Sequence, residues 1–214
     1  MEVFHTESLS KREFDQILSV LDLGGVIGFP TDTAYGLGAD PYNDEAVARI
    51  FRIKGREESK PILLLVDSVE MMEKIARPTP RFYDLANAFW PGPLTIILEA
   101  APSLSPLVTA GTGTVGVRLP DAPFVQELLR RFGKAITATS ANLSGMPSCL
   151  TAAEVRTQLE GRLELLIDGG ELPERGGSTV IDLVVDPPQL VREGPVTYER
   201  LSEFFDGHLT RRQP

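Results

Sequence analysis

Short apolar runs recur along this chain and alternate with segments of helical period, which confines it to a layered architecture. Residues 26–29, 62–66, 94–98, 114–119 and 135–139 are such runs. A run of that length crosses a sheet but is too short for a helix. Between the runs, Ser10 with Glu13 forms a capping box. It opens a helix through Phe14, Ile17, Leu18 and Leu21, stopped by Gly24 and Gly25. Asn43 caps a second helix, with Val47, Ile50, Phe51 and Ile53 facing the core. Residues 69–76, 80–89 and 122–132 read as further helices, Thr151 with Glu154 opens another to about residue 160, and 198–205 forms a short last one. Strands near 164–167, 179–185 and 189–192 complete the pattern. Such alternation predicts an α/β domain with a mixed sheet. There is no internal repeat, and the Pro/Gly clusters are too short to be interdomain linkers.

Composition narrows the chemistry. At 214 residues the chain suits one full-core domain better than two small ones. The net charge of −9 argues against a nonspecific nucleic-acid binder, whose affinity is largely phosphate neutralisation. A local basic pocket remains compatible with it, since cations concentrate between Arg49 and Lys60. The single cysteine, Cys149, excludes an intramolecular disulfide and a CxxC zinc site. His5 and His208 are the only histidines and sit near the termini, so neither a His-dependent triad nor a histidine metal cluster is expected. Chemistry must therefore rest on Lys, Arg, Ser, Thr, Asn, Asp or Glu. No apolar run approaches the roughly 18 residues of a membrane span. The start of the chain lacks the basic and apolar regions of a signal peptide, so a cytosolic address is expected.

Several loops could carry function. Lys54, Arg56, Ser59 and Lys60 crowd a short segment before the 62–66 run, where Gly55 frees the backbone and Pro61 fixes entry into the strand. Cations there suit phosphate oxygens; a solvated turn is the plainer reading. Ser140 and Asn142 follow another apolar run, where they bind a ligand or simply cap a helix. On the 114–119 strand Val115, Val117 and Leu119 share one face, leaving Arg118 with Thr114 and Gly116 on the other. Arg118 thus points to the sheet rim, where α/β proteins tend to bind ligands, or else caps neighbouring carbonyls or pairs with Asp121. The polar segment from Pro30 to Gly38 offers Thr33 as a substrate hydroxyl or forms a tight turn. Gly176, Gly177 and Ser178 repeat that pattern before a strand. Residues 111–116 match GxGxxG, but a strand follows instead of a helix, so a dinucleotide fold is not indicated.

Taken in order, PTDTAYGLGAD, KGR followed by SKP, FWPGPLTIIL, VGVRLPD, TSANLSG, GGSTVID and VREGPVT nearly span the chain. With them it closely resembles the YrdC/TsaC-type L-threonylcarbamoyladenylate synthases. The diagnostic KxR and SxN elements of that family stand here as Lys54 with Arg56 and Ser140 with Asn142. The resemblance implies one YrdC-like domain over residues 1–214 with its core at about 10–200: a twisted mixed sheet flanked by helices, with a concave, locally basic pocket. It implies that L-threonine, bicarbonate and ATP give threonylcarbamoyl-AMP and pyrophosphate in the cytoplasm. The product would feed a threonylcarbamoyl-transferase machinery that modifies adenosine 37 of tRNA; tRNA itself is a further candidate partner, and a membrane is not.

Carried across by motif, Lys54 and Arg56 would be catalytic. Thr33, Lys54, Arg118 and Ser178 would bind threonine. Arg56, Lys60, Thr114, Ser140, Asn142, Ser148 and Arg192 would bind ATP. Mg²⁺ would be held mainly by phosphate oxygens, with no protein side chain as metal ligand. Arg56 and Asn142 are expected in exposed polar loops. Leu65 stands where many relatives carry a histidine beside the threonine. The chain also ends soon after residues 191–196, which is the expectation for a short form without the extra C-terminal domain of longer members. Three other readings compete: the carbamoyl-adenylating enzyme of the same fold in hydrogenase maturation, a noncatalytic RNA-binding module, and a paralogue that has lost activity.

Overall fold

In the computed structural model, which describes residues 1–212, the capped segments are helices and the apolar runs are strands of one mixed sheet. Strand β1 (Glu2–His5) leads through a 3-10 turn at Thr6–Ser8 into α1 (Lys11–Asp22). Ser10 and Glu13 close the capping box, and α1 buries Phe14, Ile17 and Leu21. Each such apolar side chain contributes about 1.5–3 kcal/mol. The antiparallel pair β2 (Ile27–Phe29) and β3 (Gly36–Gly38) follows, then α2 (Asp44–Lys54) under its Asn43 cap. Helix α2 stops where Gly55 adopts a left-handed φ of 60°. Next come β4 (Leu63–Leu65), α3 (Val69–Glu73), β5 (Ala76–Arg77), α4 (Pro80–Phe89) and β6 (Leu94–Ala100). The second half contains α5 (Pro106–Thr109), β7 (Thr114–Arg118), α6 (Pro123–Phe132), β8 (Ile136–Ser140) and α7 (Ala152–Leu159). It continues with β9 (Leu165–Asp168), β10 (Thr179–Asp182), β11 (Gln189–Arg192), α8 (Tyr198–Phe204) and β12 (Thr210–Arg211).

The strand order is β1-β9-β2-β3-β8-β4-β7-β6-β10-β11-β12, with β5 paired to β6. Pairs are mixed: β4 runs parallel to β7 and antiparallel to β8, while β6 runs antiparallel to β7 and parallel to β10. This central group matters most, because alternate residues of each strand share a face. Leu64, Val117 and Ile96 are fully buried on one face. Leu63, Gly116, Arg118, Thr95, Ile97, Ala138 and Val180 are offered to the other, where they line a cavity.

Some elements depart from the sequence reading. The Pro30–Gly38 segment is a turn followed by a true strand, β3, buried between β2 and β8. Its glycines make that position possible, since a Cβ on Gly38 would lie 2.7 Å from the Phe29 ring. Helix α3 ends at Glu73 because the chain turns into β5 against β6. Strand β10 ends at Asp182, whose carboxylate accepts the Val184 N–H at 2.8 Å and so turns the chain out of the sheet. The short pieces β1, α5 and β12 carry too few residues for a periodic signal.

Candidate active site

The cavity over the central strands encloses about 350 Å³. Its floor is made of small or flat side chains, Ala138, Gly116 and Thr95, so the backbone comes close to any occupant. A Cβ on Gly116 would lie 3.1 Å from Thr95 Cγ2, which explains the glycine in an otherwise branched strand. Around this floor stand the guanidinium groups of Arg56, Arg118 and Arg192 with the hydroxyls of Thr31, Thr33, Ser140, Ser148 and Ser178.

Each arginine is delivered by a different device. Arg56 follows the left-handed Gly55, which turns the chain off α2; its Nη2 donates to the Pro61 carbonyl at 3.0 Å. Arg118 ends β7 fully buried, where its Nη1 donates to Asp32 Oδ1 at 2.7 Å and to Thr33 Oγ1 at 3.4 Å. Arg192 ends β11 and lies across the backbone of Gly177: a Cβ there would sit 3.0 Å from its Nη2. Its Nε and Nη2 donate to the Ser178 carbonyl at 3.0 and 2.7 Å. Ser178 Oγ is in turn 2.8 Å from Thr95 Oγ1.

Burial lowers all three guanidinium pKa values, and at Arg118 the charge of Asp32 opposes that shift. An arginine stays protonated throughout the accessible pH range. The lowering therefore reports cations short of solvation, which an incoming anion would relieve. Among the described residues, Arg56 Nε and Arg118 Nε are buried donors without a partner.

Thr33, Arg56, Arg118, Ser140, Ser148, Ser178 and Arg192 are thus brought together around one cavity. The other sequence-based candidates are not. Lys54 is the last residue of α2 and is buried below the cavity, outside its lining. Its Nζ donates to the Ser140 carbonyl, to the Asn142 carbonyl at 2.8 Å and to Asn142 Oδ1 at 3.1 Å. Burial first, and then the charge of Arg56, pushes its pKa down to about 8. Asn142 is buried, not in an exposed loop, because its amide is consumed by Lys54, Leu143 and Met146. Lys60 lies on the surface, 3.4 Å from Glu57, and Thr114 Oγ1 is 3.0 Å from Thr112 Oγ1; neither lines the cavity.

The cation-rich stretch from Arg49 to Lys60 does not make the pocket either. Arg49 pairs with Glu164 and Arg52 with Glu45, so of that stretch Arg56 alone lines the cavity. Leu65 pairs in register with Arg118 on β7 but is fully buried and does not line the cavity. Arg118 pairs with Asp32 and not with Asp121, whose backbone N–H instead reaches Asp32 Oδ2 at 3.4 Å. Asp32 and Thr95 were both missed. Period-2 alternation with Ile97 could have found Thr95; no local pattern links Asp32 to an arginine 86 residues away.

Among the described residues no cluster of three or more His, Cys, Asp or Glu side chains could hold a metal ion, and no helix is long and apolar enough to cross a membrane. The cavity's donor set is cationic and hydroxylic, which fits a metal carried in on phosphate oxygens and does not fit one bound by the protein alone.

The family model Sua5_yciO_yrdC, described as telomere recombination, matches residues 19–194. A threonylcarbamoyl-AMP synthase of Bacillus subtilis is 40% identical over 92% of this chain, which spans 58% of that relative. The Vibrio campbellii threonylcarbamoyl-AMP synthase is 35% identical over 86% of the chain and is covered along 100% of its own length. In three dimensions the crystal structure of P. abyssi Sua5 complexed with L-threonine superposes with a TM-score of 0.93 at 35% identity, covering 99% of this chain and 63% of that one.

Proposed function

Because the chain belongs to the Sua5_yciO_yrdC family, we propose that it makes threonylcarbamoyl-AMP and pyrophosphate from L-threonine, bicarbonate and ATP. The observation that carries this reading is the set of three under-solvated arginines around a cavity otherwise lined with hydroxyls. All three substrates present anionic groups to such a cavity: the threonine carboxylate, bicarbonate and the ATP polyphosphate. Arg118, deepest in the sheet, suits the amino acid's carboxylate, with Thr33 and Ser178 hydroxyls beside it. Arg56 and Arg192 suit phosphates, and Ser140 and Ser148 the rest of the nucleotide.

The chemistry asks little of acid–base groups. The threonine amine nitrogen bonds to the bicarbonate carbon with loss of water, giving an N-carboxylate. One oxygen of that group then bonds to the α-phosphorus as the bond to the β-phosphate oxygen breaks and pyrophosphate leaves. Holding the two anions together and balancing charge on the transferring phosphoryl group are the protein's share, by proximity and electrostatics. Mg²⁺ bound to the phosphates would supply further charge neutralisation. Lys54, held under Ser140 and Asn142, acts in this reading by shaping the nucleotide side and not by touching substrate. The product is a mixed anhydride for a downstream transferase acting on tRNA, in the cytoplasm.

The test is pyrophosphate release from ATP with bicarbonate, comparing L-threonine, L-serine, no amino acid and carbamoyl phosphate. Release that needs both threonine and bicarbonate is expected. Release only with carbamoyl phosphate would move the protein to the hydrogenase-type reaction. No release from protein that binds RNA would leave a binding module.

A further inference from the structure

Asp32 carries no role in the reaction as written, yet its surroundings are built with care. Its side chain is 6% exposed and that of Arg118 4%, so the pair is withdrawn from solvent. The backbone around Asp32 is held by a local turn, in which Thr31 Oγ1 accepts the Thr33 N–H at 3.1 Å and donates to the Ala34 carbonyl at 2.7 Å, and the second carboxylate oxygen accepts the Asp121 N–H at 3.4 Å. The turn thus sets where the Asp32 backbone stands beneath Arg118. Among the described residues Arg118 spends Nη1 on Asp32 and Thr33, while its Nε has no partner. The guanidinium is planar, so anchoring one nitrogen orients its remaining donors.

We propose that Asp32 is a positioning residue for the amino-acid site: it holds the Arg118 guanidinium by one nitrogen so that the remaining N–H groups meet the substrate carboxylate. This rests on the reading that Arg118 receives that carboxylate. Asp32 itself is not part of the cavity lining, so it acts through the arginine. Its carboxylate also balances the charge of a cation withdrawn from solvent. Without it the long side chain would have to be ordered when the substrate binds, at a cost that falls on affinity.

The experiment is calorimetric titration of L-threonine, and separately of ATP, into the full chain as wild type, Asp32→Asn, Asp32→Glu, Arg118→Met and the Asp32→Asn/Arg118→Met double variant. Asp32→Asn should weaken threonine binding by about tenfold or more and leave ATP binding nearly unchanged. Asp32→Glu should recover part of the loss, and adding Asp32→Asn to Arg118→Met should cost nothing further. Unchanged or tighter threonine binding by an Asp32→Asn protein that still binds ATP overturns the proposal, as does an equal further loss in the Arg118→Met background. Should Asp32→Asn fail to bind ATP, Asp32→Glu decides: threonine affinity equal to wild type overturns the proposal, and a selective loss supports it. A wild-type protein that ignores threonine overturns the functional reading and this proposal together; a wild type that binds it beside an indifferent Asp32→Asn overturns the positioning role alone.

Discussion

Lys54 Nζ lies 2.8 Å from the carbonyl of Asn142 and 3.1 Å from its side-chain oxygen, pinning two segments 88 residues apart in the chain. The third ammonium proton goes to the Ser140 carbonyl. The lysine of KxR is thereby a buried support for SxN, and Arg56 is the member of KxR that lines the cavity.

Lys54→Met should leave two buried carbonyls without their donor. An unsatisfied buried group costs about 1–3 kcal/mol, so the thermal midpoint should fall by several degrees. ATP affinity should drop with it, because Ser140 loses its support. A midpoint within error of wild type would show that the three bonds do not hold the loop.

The same lysine predicts a pH effect on stability. Its folded pKa of about 8 lies below the ordinary lysine value of 10.5. As pH rises through 8 the native state releases a proton that the unfolded chain still holds, so stability should rise with pH until the unfolded lysine titrates. Urea midpoints at pH 7.5 and 8.5 check this, since the Cys149 thiol of the unfolded chain titrates later, near 9.0. Lys54→Met should abolish the rise.

Arg56→Ala should cut adenylate formation directly and Asn142→Ala only through the lost support of the Ser140 loop, and the two should differ in stability. Arg56 is partly exposed and gives one bond to the Pro61 carbonyl, so its loss should leave the melting curve almost unchanged. Removing one donor to a developing anion typically costs about 10²–10³ in turnover. Asn142 is buried and bonded on both sides, so its variant should also melt earlier. Near-wild-type turnover by folded Arg56→Ala would remove that arginine from the reaction.

Burial pushes the Cys149 thiol up to about 11. A thiol-disulfide reagent at pH 8 should label the native protein slowly and the denatured chain fully, since the thiolate is the nucleophile. Rapid labelling of the folded protein would contradict the packing around α7.

Gly194→Ala should damage the site through its frame. A Cβ there would collide with the Gly177 carbonyl and lie 2.8 Å from Thr179 N. Thr179 Oγ1 accepts the Gly194 and Val196 N–H groups, each at 3.0 Å, and so ties this turn to the strand after Ser178. Overpacking of this kind costs about 1–3 kcal/mol, measurable as a lowered midpoint with weakened binding of threonine and ATP.

Much of the fold was legible because its signals are local. The Ser10–Glu13 and Thr151–Glu154 capping boxes, the Asn43 cap and the alternation of Val115 and Val117 each involve residues within one turn or one strand, and each stands as read. The site was legible in part. Period-2 alternation turned Arg118 to the cavity face, but nothing local announced that Lys54 and Asn142 would be buried against each other, or that Lys60 would stay at the surface beside Glu57.

By itself, then, the sequence determined where elements begin and end, which strand faces are apolar, and which short segments carry cations and hydroxyls. These depend on backbone propensity, capping and periodicity, all short-range. Tertiary structure alone decided which partners the buried charges meet: Arg118 the carboxylate of Asp32 across 86 residues, and Lys54 the carbonyl oxygens of Asn142 across 88. Those pairings follow from sheet order and burial. A buried charge must find a partner wherever the packed strands bring one within reach.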